Sequence, residues 1–393
     1  MIVGRLAEVA HEMIWLYYSI ILKQMKVVHV MNKLCPSGAE VMLKLAAPVW
    51  SDRGVELCIL SCGEVEGAYA DVLRSAGYRI YSCPRRRGIT SMVWFYRLIR
   101  TFEEIQPDVA HIHCEAQGLL IALAARLGGV GEIIRTVHSI FQFDGFLRAR
   151  KSIERGLMRA IGTRNVSIGE SVRVNEMRRF RNQTTLIDNW IDVAHFRPPS
   201  LEERRSAREE LRVNESQQLI VSVGNGCDIK NYQTIIKTIH AIDRSNLIYF
   251  QVGNEHDAGT DRRLVDELNL GDKVKFTGSV TNVRTYLWAA DVYLMPSLIE
   301  GFGLAAAEAL ATGLPCIFSR VPGLKDWEMK GLEIIWANTP EAASVEKALL
   351  DFITMNLSDC NNPYAGNVQI IQRTSSVERG ADAYLELYLG AAG

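Results

Sequence analysis

Short apolar runs alternate with amphipathic stretches along the first half of the chain. Uninterrupted apolar runs are typical of parallel strands covered on both faces, and apolar positions three to four apart are typical of helices. Strands are therefore predicted at residues 26–31, 55–61, 79–82, 109–113, 132–138 and 165–168. Helices are predicted at residues 39–50, 91–105 and 118–127. Their alternation predicts a parallel α/β domain.

The same alternation starts again in the second half of the chain. Strands are predicted at residues 219–223, 247–252, 274–276, 292–295, 314–319 and 334–336. Helices are predicted at residues 201–211, 231–242, 261–268, 304–312, 345–355 and 377–389. Pro198 and Pro199 interrupt regular structure between the halves and mark the junction. The predicted order is an N-terminal extension, two Rossmann-like domains and a C-terminal helix, over residues 1–24, 25–197, 198–375 and 376–393.

Size and composition are consistent with this plan. A chain of 393 residues with 48% apolar and 23% charged residues is typical of a soluble protein of two domains. Eight cysteines without zinc-type spacing predict reduced thiols and a cytosolic setting. No apolar run approaches the roughly 20 residues that span a bilayer. We interpret residues 1–24 as a loosely attached extension, and the alternative is a segment lying in the membrane interface.

The formal net charge of −1 hides an asymmetry between the halves, because the first is basic and the second acidic. The basic excess is densest in residues 148–181. Such a patch can contact anionic lipid or a phosphate-bearing acceptor. The alternative, held at equal weight, is a solvated basic helix face.

The most specific chemical signal is a glycine-rich turn between two glutamates, Glu300 and Glu308. It joins the predicted strand at 292–295 to the predicted helix at 304–312. Gly301 and Gly303 allow a sharp turn and leave room for a ligand. Amide groups at such a helix start attract phosphate, and the two carboxylates could face one crevice. The pattern suits a ligand with an anionic middle and hydroxyls at both ends, such as a nucleotide-sugar.

The stretch from Pro296 to Pro315 resembles the Glu-x7-Glu motif of retaining glycosyltransferases of family 4, including the Pro-Ser before it and the Glu-Ala-x-Ala-x-Gly-x-Pro after it. The resemblance covers about residues 25–340. It implies the GT-B fold, in which two Rossmann-like domains face each other across a deep cleft. It further implies that the C-terminal domain holds the nucleotide-sugar, that the N-terminal domain holds the acceptor, and that the last helix packs back towards the N-terminal domain.

The segment after the strand at 219–223 resembles the family's Gly-Arg…Lys-Asn segment, where an arginine and a lysine hold the diphosphate. Lys230 matches the lysine, whereas Asn225 stands where the arginine usually is. Asparagine offers only neutral donors in place of a bidentate cation, which could weaken donor binding by ~1–2 kcal/mol. Arg320 and Lys325 are candidate replacements for the missing charge. The alternative is a simple tight turn with Lys230 on the surface.

Two positions of the N-terminal half complete the resemblance. Gly38 lies in a turn similar to the family's Gly-Gly-Ala-Glu turn, and His138 resembles the histidine that faces the donor. A structural role for His138 is equally open. His111 and His113 share one strand face, yet no third metal ligand is evident near them, and we interpret them as packed or cleft-lining side chains. No convincing Asp-x-Asp metal motif is present.

Together with the residues above, the resemblance implies a retaining hexosyltransferase that moves a sugar from a UDP- or GDP-sugar to a glycan or lipid-linked glycan in cell-surface polysaccharide synthesis. Glu300, His138 and Lys230 are the predicted catalytic residues. The predicted donor-binding residues are Gly38, Asn225, Lys230, Glu300, Gly301, Phe302, Gly303, Leu304 and Glu308. No cofactor, metal or nucleic-acid partner is expected, since the nucleotide-sugar is a substrate. The predicted location is cytoplasmic, with peripheral contact to the inner face of the membrane through the basic half.

Two alternatives remain open at this stage. One is a GT-B sugar-nucleotide epimerase, which would act on its substrate without an acceptor. The other is a non-catalytic protein that binds nucleotide-sugar, which is suggested by Asn225 in the arginine position.

Overall fold

The computed structural model describes residues 25–85, 91–256, 259–355 and 363–390. It divides into two compact units. The first is built from the described residues of Met1–Ser167, Arg173–Ile187 and Gly380–Gly393, and the second from those of Ile168–Val172 and Asp188–Arg379. The predicted extension at residues 1–24 lies outside the described residues.

The first unit contains a seven-stranded sheet in which every neighbouring pair is parallel. Its strands are β1 (Met25–Met31), β2 (Val55–Ser61), β3 (Arg79–Ser82), β4 (Val109–Ile112), β5 (Glu132–Val137), β6 (Thr163–Ser167) and β7 (Thr185–Leu186). Their order is β3-β2-β1-β4-β5-β6-β7. The chain changes direction across the sheet between β1 and β4, which is the place where open α/β sheets bind ligands.

Helices cover this sheet. They are α1 (Gly38–Asp52), α2 (Ala70–Ser75), α3 (Ser91–Ile105), α4 (Gly118–Leu127), α5 (Gly145–Ala160) and α6 (Glu170–Phe180). A core around Trp94, Leu98 and Phe102 joins α3 to the apolar strands. Burying such large apolar side chains stabilises the unit by ~2 kcal/mol each.

The second unit contains a six-stranded parallel sheet in the order β10-β9-β8-β11-β12-β13. Its strands are β8 (Gln218–Val223), β9 (Leu247–Val252), β10 (Val274–Phe276), β11 (Val292–Met295), β12 (Cys316–Ser319) and β13 (Ile335–Ala337). Its helices are α7 (Leu201–Glu210), α8 (Tyr232–Ile242), α9 (Thr260–Glu267), α10 (Val283–Ala289), α11 (Leu304–Ala311), α12 (Ala342–Thr354) and α13 (Ala365–Thr374). In this sheet, the chain changes direction across the sheet between β8 and β11.

The last helix, α14 (Val377–Tyr388), begins in the second unit and continues into the first. Trp50 Nε1 donates to Ala381 O at 2.9 Å. The hydroxyl of Tyr384 lies 2.8 Å from Thr136 Oγ1, and that of Tyr388 lies 2.7 Å from His111 Nδ1. The C-terminal part of α14 is therefore an integral part of the first unit.

The prediction of two parallel α/β units is confirmed, and the larger elements agree with their predicted positions to within a few residues. β4 and β5 end one residue earlier than predicted, so that His113 and His138 lie just beyond their strands. The pattern did not predict the helices α2, α5, α6, α10 and α13 or the two-residue strand β7, because most of these elements are short or strongly polar. No helix in the described ranges is both long and apolar enough to cross a membrane.

Candidate functional site

The sequence-predicted residues of the second unit gather at the carboxyl ends of its two central strands. Asn225 and Lys230 follow β8, and Glu300 follows β11. β8 and β11 are hydrogen-bonded neighbours in the sheet. The two loops also meet directly, since Leu298 N donates to Ile229 O at 2.8 Å.

Glu300 is the centre of this arrangement. Its Oε1 lies 2.8 Å from Lys230 Nζ and accepts a hydrogen bond from Ser297 Oγ at 2.7 Å. The two charged side chains retain only 11% (Glu300) and 21% (Lys230) of their exposure. The carboxylate is therefore held in one orientation by a cation and a hydroxyl, and its second oxygen remains available to a ligand. Sequence reasoning did not assign Ser297 a role, although it lies in the quoted Pro-Ser lead-in.

The backbone around Glu300 is held by a close approach of the chain after β12. Glu300 N donates to Pro322 O at 3.1 Å. Gly323 has φ +90°, and a Cβ at this position would lie 2.0 Å from Glu300 O. Only glycine fits this conformation without displacing the backbone of Glu300. Gly323 is thus a supporting residue that sequence reasoning missed, because its neighbour is distant in the chain.

α11 begins at the end of the glycine-rich turn. Gly303 is its N-cap in the left-handed region with φ +81°. The amide groups of the first helical turn have no acceptor within the helix, so they can bind an anion. Phe302 points the other way and is buried edge-on against Trp327, whose Nε1 donates to Phe302 O at 3.2 Å. Phe302 therefore fixes the turn by packing.

Glu308 lies on α11, one turn beyond Leu304, and is partly exposed. It makes no hydrogen bond within the part of the chain that the structure describes. Desolvation by its surroundings raises the pKa of Glu308 to about 8. The ionised form of a desolvated carboxyl group is stabilised by any ligand whose hydroxyls donate hydrogen bonds to it.

Asn225 is exposed, and its Oδ1 accepts a hydrogen bond from Asn254 N at 3.2 Å. Of the two cations considered as replacements for the missing arginine, Arg320 forms an ion pair with Glu328. Lys325 is exposed at the start of a short 3₁₀ segment, Lys325–Lys330. Lys230, by contrast, directly contacts the Glu300 carboxylate.

In the first unit, Gly38 is the first residue of α1, and Ser37 precedes it as an extended N-cap whose hydroxyl donates to the Glu40 carboxyl. Burial raises the pKa of Glu40. His138 is partly exposed at the end of β5. Burial lowers the pKa of His138 to about 4, with the nearby Arg135 cation acting in the same direction. The imidazole of His138 is therefore neutral near pH 7.

His138 belongs to a cluster of four histidines at the carboxyl ends of β1, β4 and β5. His138 Nε2 lies 2.9 Å from His113 Nδ1, and His113 Nε2 lies 3.1 Å from His29 Nδ1. His111 is bonded instead to Tyr388 and Thr136. Sequence reasoning missed His29 because the preceding apolar run only predicts a buried strand.

The expectation that His111 and His113 have no third potential metal ligand nearby was wrong. One nitrogen each of His29, His111 and His113 lie within 4.8 Å of one another. Among the described residues, these three histidines form the one group that could hold a metal ion. The spacing is wide for the ligands of one ion, and both ring nitrogens of His111 already have hydroxyl partners. Most ring nitrogens of the cluster are engaged in hydrogen bonds between the histidines or to Tyr388 and Thr136.

The basic stretch at 148–181 divides into buried and exposed parts. Arg155 is almost fully buried and forms a two-point ion pair with the buried Glu176 at 2.7 and 2.8 Å. Such a pair orients α5 against α6, because a buried charge must be compensated. Arg150, by contrast, is mostly exposed. The stretch is therefore only partly a surface patch.

Comparison with known proteins identifies the family of the chain. The model described as Glycosyltransferase Family 4 matches residues 36–195, and the model described as Glycosyl transferases group 1 matches residues 203–365. Together they account for most of the chain. The chain belongs to this family of glycosyltransferases. The sequence-based identification and the prediction of a hexosyltransferase-type enzyme are thereby confirmed.

Two relatives of this glycosyltransferase are similar to it over most of their length. EpsF of Bacillus subtilis (strain 168), assigned as a glycosyltransferase, is 28% identical over 310 residues, which cover 75% of this chain and 79% of EpsF. UDP-Gal:alpha-D-GlcNAc-diphosphoundecaprenol alpha-1,3-galactosyltransferase of Escherichia coli is 24% identical over 322 residues, which cover 77% and 80% of the two chains.

Solved structures are similar in fold at much lower identity. A glycosyltransferase from Rickettsia africae ESF-5 matches with a TM-score of 0.82 and 14% identity, over 94% of this chain and 99% of that one. HepE of Anabaena in complex with UDP matches with a TM-score of 0.79 and 16% identity, over 93% and 100%. The predicted GT-B fold of this glycosyltransferase is confirmed.

Proposed function

We propose that this glycosyltransferase transfers a hexosyl residue, with retention of anomeric configuration, from a UDP-sugar to a hydroxyl of a lipid-linked glycan during synthesis of a cell-surface polysaccharide. The observation that carries the proposal is the Lys230–Glu300–Ser297 arrangement at the sheet's change of direction. It places a fixed carboxylate and a cation beside the free amides of α11. A sugar with a diphosphate leaving group requires these two kinds of contact.

Glu300 accepts hydrogen bonds from hydroxyls of the donor sugar and stabilises positive charge at the anomeric carbon as the bond to the diphosphate breaks. The electron pair of that bond leaves with the nucleoside diphosphate, while the acceptor hydroxyl forms the new bond. Negative charge on the departing diphosphate is greatest late in the reaction. Lys230 and the amides near Gly303 and Leu304 act on that charge, which is the kind of stabilisation that most accelerates such steps.

Glu308 accepts from the ribose hydroxyls in this proposal, since its carboxyl group has no hydrogen-bond partner among the described residues. Uridine as the base is supported by the UDP complex of HepE and by the UDP-Gal donor in the name of the Escherichia coli relative. A GDP-sugar is the second candidate donor. His138 and Gly38 are proposed to contact the sugar and the diphosphate from the first unit.

The proposed mechanism needs no metal ion, because Lys230 and helix amides supply the positive charge that a divalent cation supplies elsewhere. The expected outcome is full activity after dialysis against EDTA. Loss of activity that Mg²⁺ or Mn²⁺ restores would contradict this part of the proposal.

A lipid-linked acceptor is supported by the diphosphoundecaprenol substrate in the name of the Escherichia coli relative. The surface of α5 supports it independently. Phe146, Arg150, Ile153 and Leu157 lie on one face at helical spacing, and Phe146 and Ile153 are 85% and 64% exposed. Exposed apolar side chains beside arginine are typical of helices that rest on anionic membranes. We propose peripheral contact with the cytoplasmic membrane face through α5.

The membrane contact is tested by sedimentation with phosphatidylglycerol vesicles. The double change Phe146→Ser and Ile153→Ser should abolish binding, whereas Met329→Ser should leave it intact, because Met329 is an equally exposed methionine of the second unit. Equal binding of both variants, or no preference for anionic over phosphatidylcholine vesicles, would contradict the contact.

Transfer itself is tested by release of UDP or GDP from a panel of donors, with and without lipid-linked acceptor. Acceptor-dependent release by the wild type, and its loss in Glu300→Ala, is the expected result. Conversion of UDP-GlcNAc without any acceptor would favour an epimerase. Tight UDP binding without turnover on a broad panel would favour a protein that only binds nucleotide-sugar. Anomeric retention is read from the product by proton NMR.

A further inference from the structure

Three histidines of the first unit form one line of hydrogen-bonded rings, from His29 through His113 to His138. They belong to β1 and to the ends of β4 and β5, which are adjacent strands of the sheet. Each contact joins two ring nitrogens. Such a contact needs a proton on one nitrogen and a bare lone pair on the other. The position of one proton in the line therefore determines the position of the other two.

All three rings are neutral, because burial lowers the pKa of each of them. A neutral imidazole has one proton, so the line has two possible arrangements. In one, His29 Nδ1 donates to His113, and His113 Nδ1 donates to His138. His138 then carries its own proton on Nδ1. In the other arrangement every proton is on the opposite nitrogen, and His138 Nδ1 is bare.

The inner end of the line selects between these arrangements. His29 Nε2 is buried and has no hydrogen-bond partner. The His29 ring stacks on Trp50 at 5.3 Å between centroids and meets Tyr78 and Tyr388 edge to face. A buried N–H without an acceptor is the rarer and costlier defect in proteins, compared with a bare acceptor. His29 Nε2 is therefore the bare nitrogen, and its proton lies on Nδ1.

We propose that His113, itself oriented by His29, is a positioning residue that fixes the proton of His138 on Nδ1. His138 Nδ1 has no hydrogen-bond partner among the described residues, and the ring is partly exposed. His138 thus offers an N–H donor to the sugar or diphosphate of the donor substrate. This role rests on the proposed function, whereas the proton arrangement does not.

His111 provides a matched control. It lies on β4, two residues before His113, and is at least as deeply buried. Its Nδ1 lies 2.7 Å from Tyr388 Oη, and its Nε2 lies 2.7 Å from Thr136 Oγ1. It is therefore outside the line. Changing it perturbs packing in the same place without interrupting the contacts to His138.

The first experiment reads the protons directly. Long-range proton–nitrogen correlation spectra of protein labelled with nitrogen-15 histidine distinguish Nδ1–H from Nε2–H rings, and the His138→Phe variant assigns the signals of His138. We expect Nδ1–H for His29, His113 and His138. A proton on Nε2 of His138, or stoichiometric metal in the purified protein that is bound by these rings, would overturn the proposal.

The second experiment reads the consequence for transfer. His113→Phe keeps a planar aromatic ring and removes both contacts, and we expect kcat/KM to fall about tenfold, the factor for one lost hydrogen bond. His113→Asn can place an amide N–H at the Nδ1 position and should recover most of the rate. His111→Phe should leave the rate per folded molecule unchanged. A fall in His111→Phe equal to that in His113→Phe would contradict a positioning role.

A double-mutant cycle separates action through His138 from general loss of structure. If His113 acts through His138, His113→Phe has no further effect on the rate in a His138→Phe background. Additive losses would overturn the proposal. If the wild type releases no nucleotide from any donor, the proposed function fails, while the spectra still decide the proton arrangement.

Discussion

Glu300 and Glu308 are both glutamates near one turn, yet the structure assigns them opposite responses to the same substitution. Glu300 is bonded to Lys230 and Ser297 at 2.8 and 2.7 Å. Glu308 has no hydrogen-bond partner among the described residues, and its pKa is raised to about 8. Changing each to glutamine keeps the shape; it removes the charge of Glu300, whereas Glu308 is largely protonated near pH 7 and loses mainly its ability to ionise when a ligand donates to it. The pair Glu300→Gln and Glu308→Gln therefore separates transition-state stabilisation from nucleotide binding.

Glu300→Gln should lower kcat at least 100-fold, because one preorganised electrostatic contact to a charged transition state contributes ~3 kcal/mol. The glutamine oxygen can still accept from Ser297 and Lys230, so only the charge-assisted part of those contacts is lost. We expect the free energy of unfolding to fall by ~1–2 kcal/mol. The variant should remain folded at room temperature, which makes the kinetic loss interpretable.

Glu308→Gln should leave kcat nearly unchanged and raise KM for the donor about tenfold, as expected for weakened hydrogen bonds to ribose. Its stability should equal that of the wild type at low pH. Unfolded Glu308 ionises near pH 4.5 and folded Glu308 near 8, so the wild type binds more protons when folded and loses stability as pH rises between these values. Glu308→Gln lacks this loss and should be the more stable protein at pH 8.

The assays are nucleotide release under saturating and limiting donor, and urea unfolding at pH 5 and pH 8. Full turnover by Glu300→Gln would refute its assigned role. An equal fall of kcat in both variants would refute the assignment of Glu300 to transition-state stabilisation and Glu308 to nucleotide binding. Identical pH dependence of unfolding in the wild type and Glu308→Gln would show that Glu308 is not desolvated in the folded protein.

Three further predictions concern single positions. Asn225→Arg should tighten UDP binding about tenfold, by adding a charged phosphate contact, and calorimetry showing no gain would place the diphosphate away from this loop. Gly323→Ala should cost at least ~2 kcal/mol of unfolding free energy, since its Cβ would meet Glu300 O at 2.0 Å; Gly331→Ala, with φ +76° and open space, should cost clearly less by urea unfolding. Relative to His29→Phe, the wild type should lose stability from about pH 6.5 towards pH 5, because unfolded histidine takes up a proton that His29, with its pKa of about 3, does not. A pH profile that is not flattened in His29→Phe would contradict this assignment.

The sequence alone determined the fold class and the position of the central motif. Apolar runs and helical spacing are local properties, and each long element follows from residues adjacent in the chain. The string around Glu300 and Glu308 is likewise contiguous, so the family could be identified from it. The helices α6 and α13 were missed because their local apolar pattern is weak.

Tertiary structure alone decided the contacts between distant residues. Lys230 meets Glu300 across 70 positions, His29 meets His113 across 84, and Trp50 bonds to Ala381 across 331. Parallel sheets bring together the carboxyl ends of strands that are far apart in the chain, and no local pattern encodes which side chains then touch. The burial that raises the pKa of Glu308 and lowers that of His138 arises in the same way, since desolvation depends on every neighbour that the fold supplies.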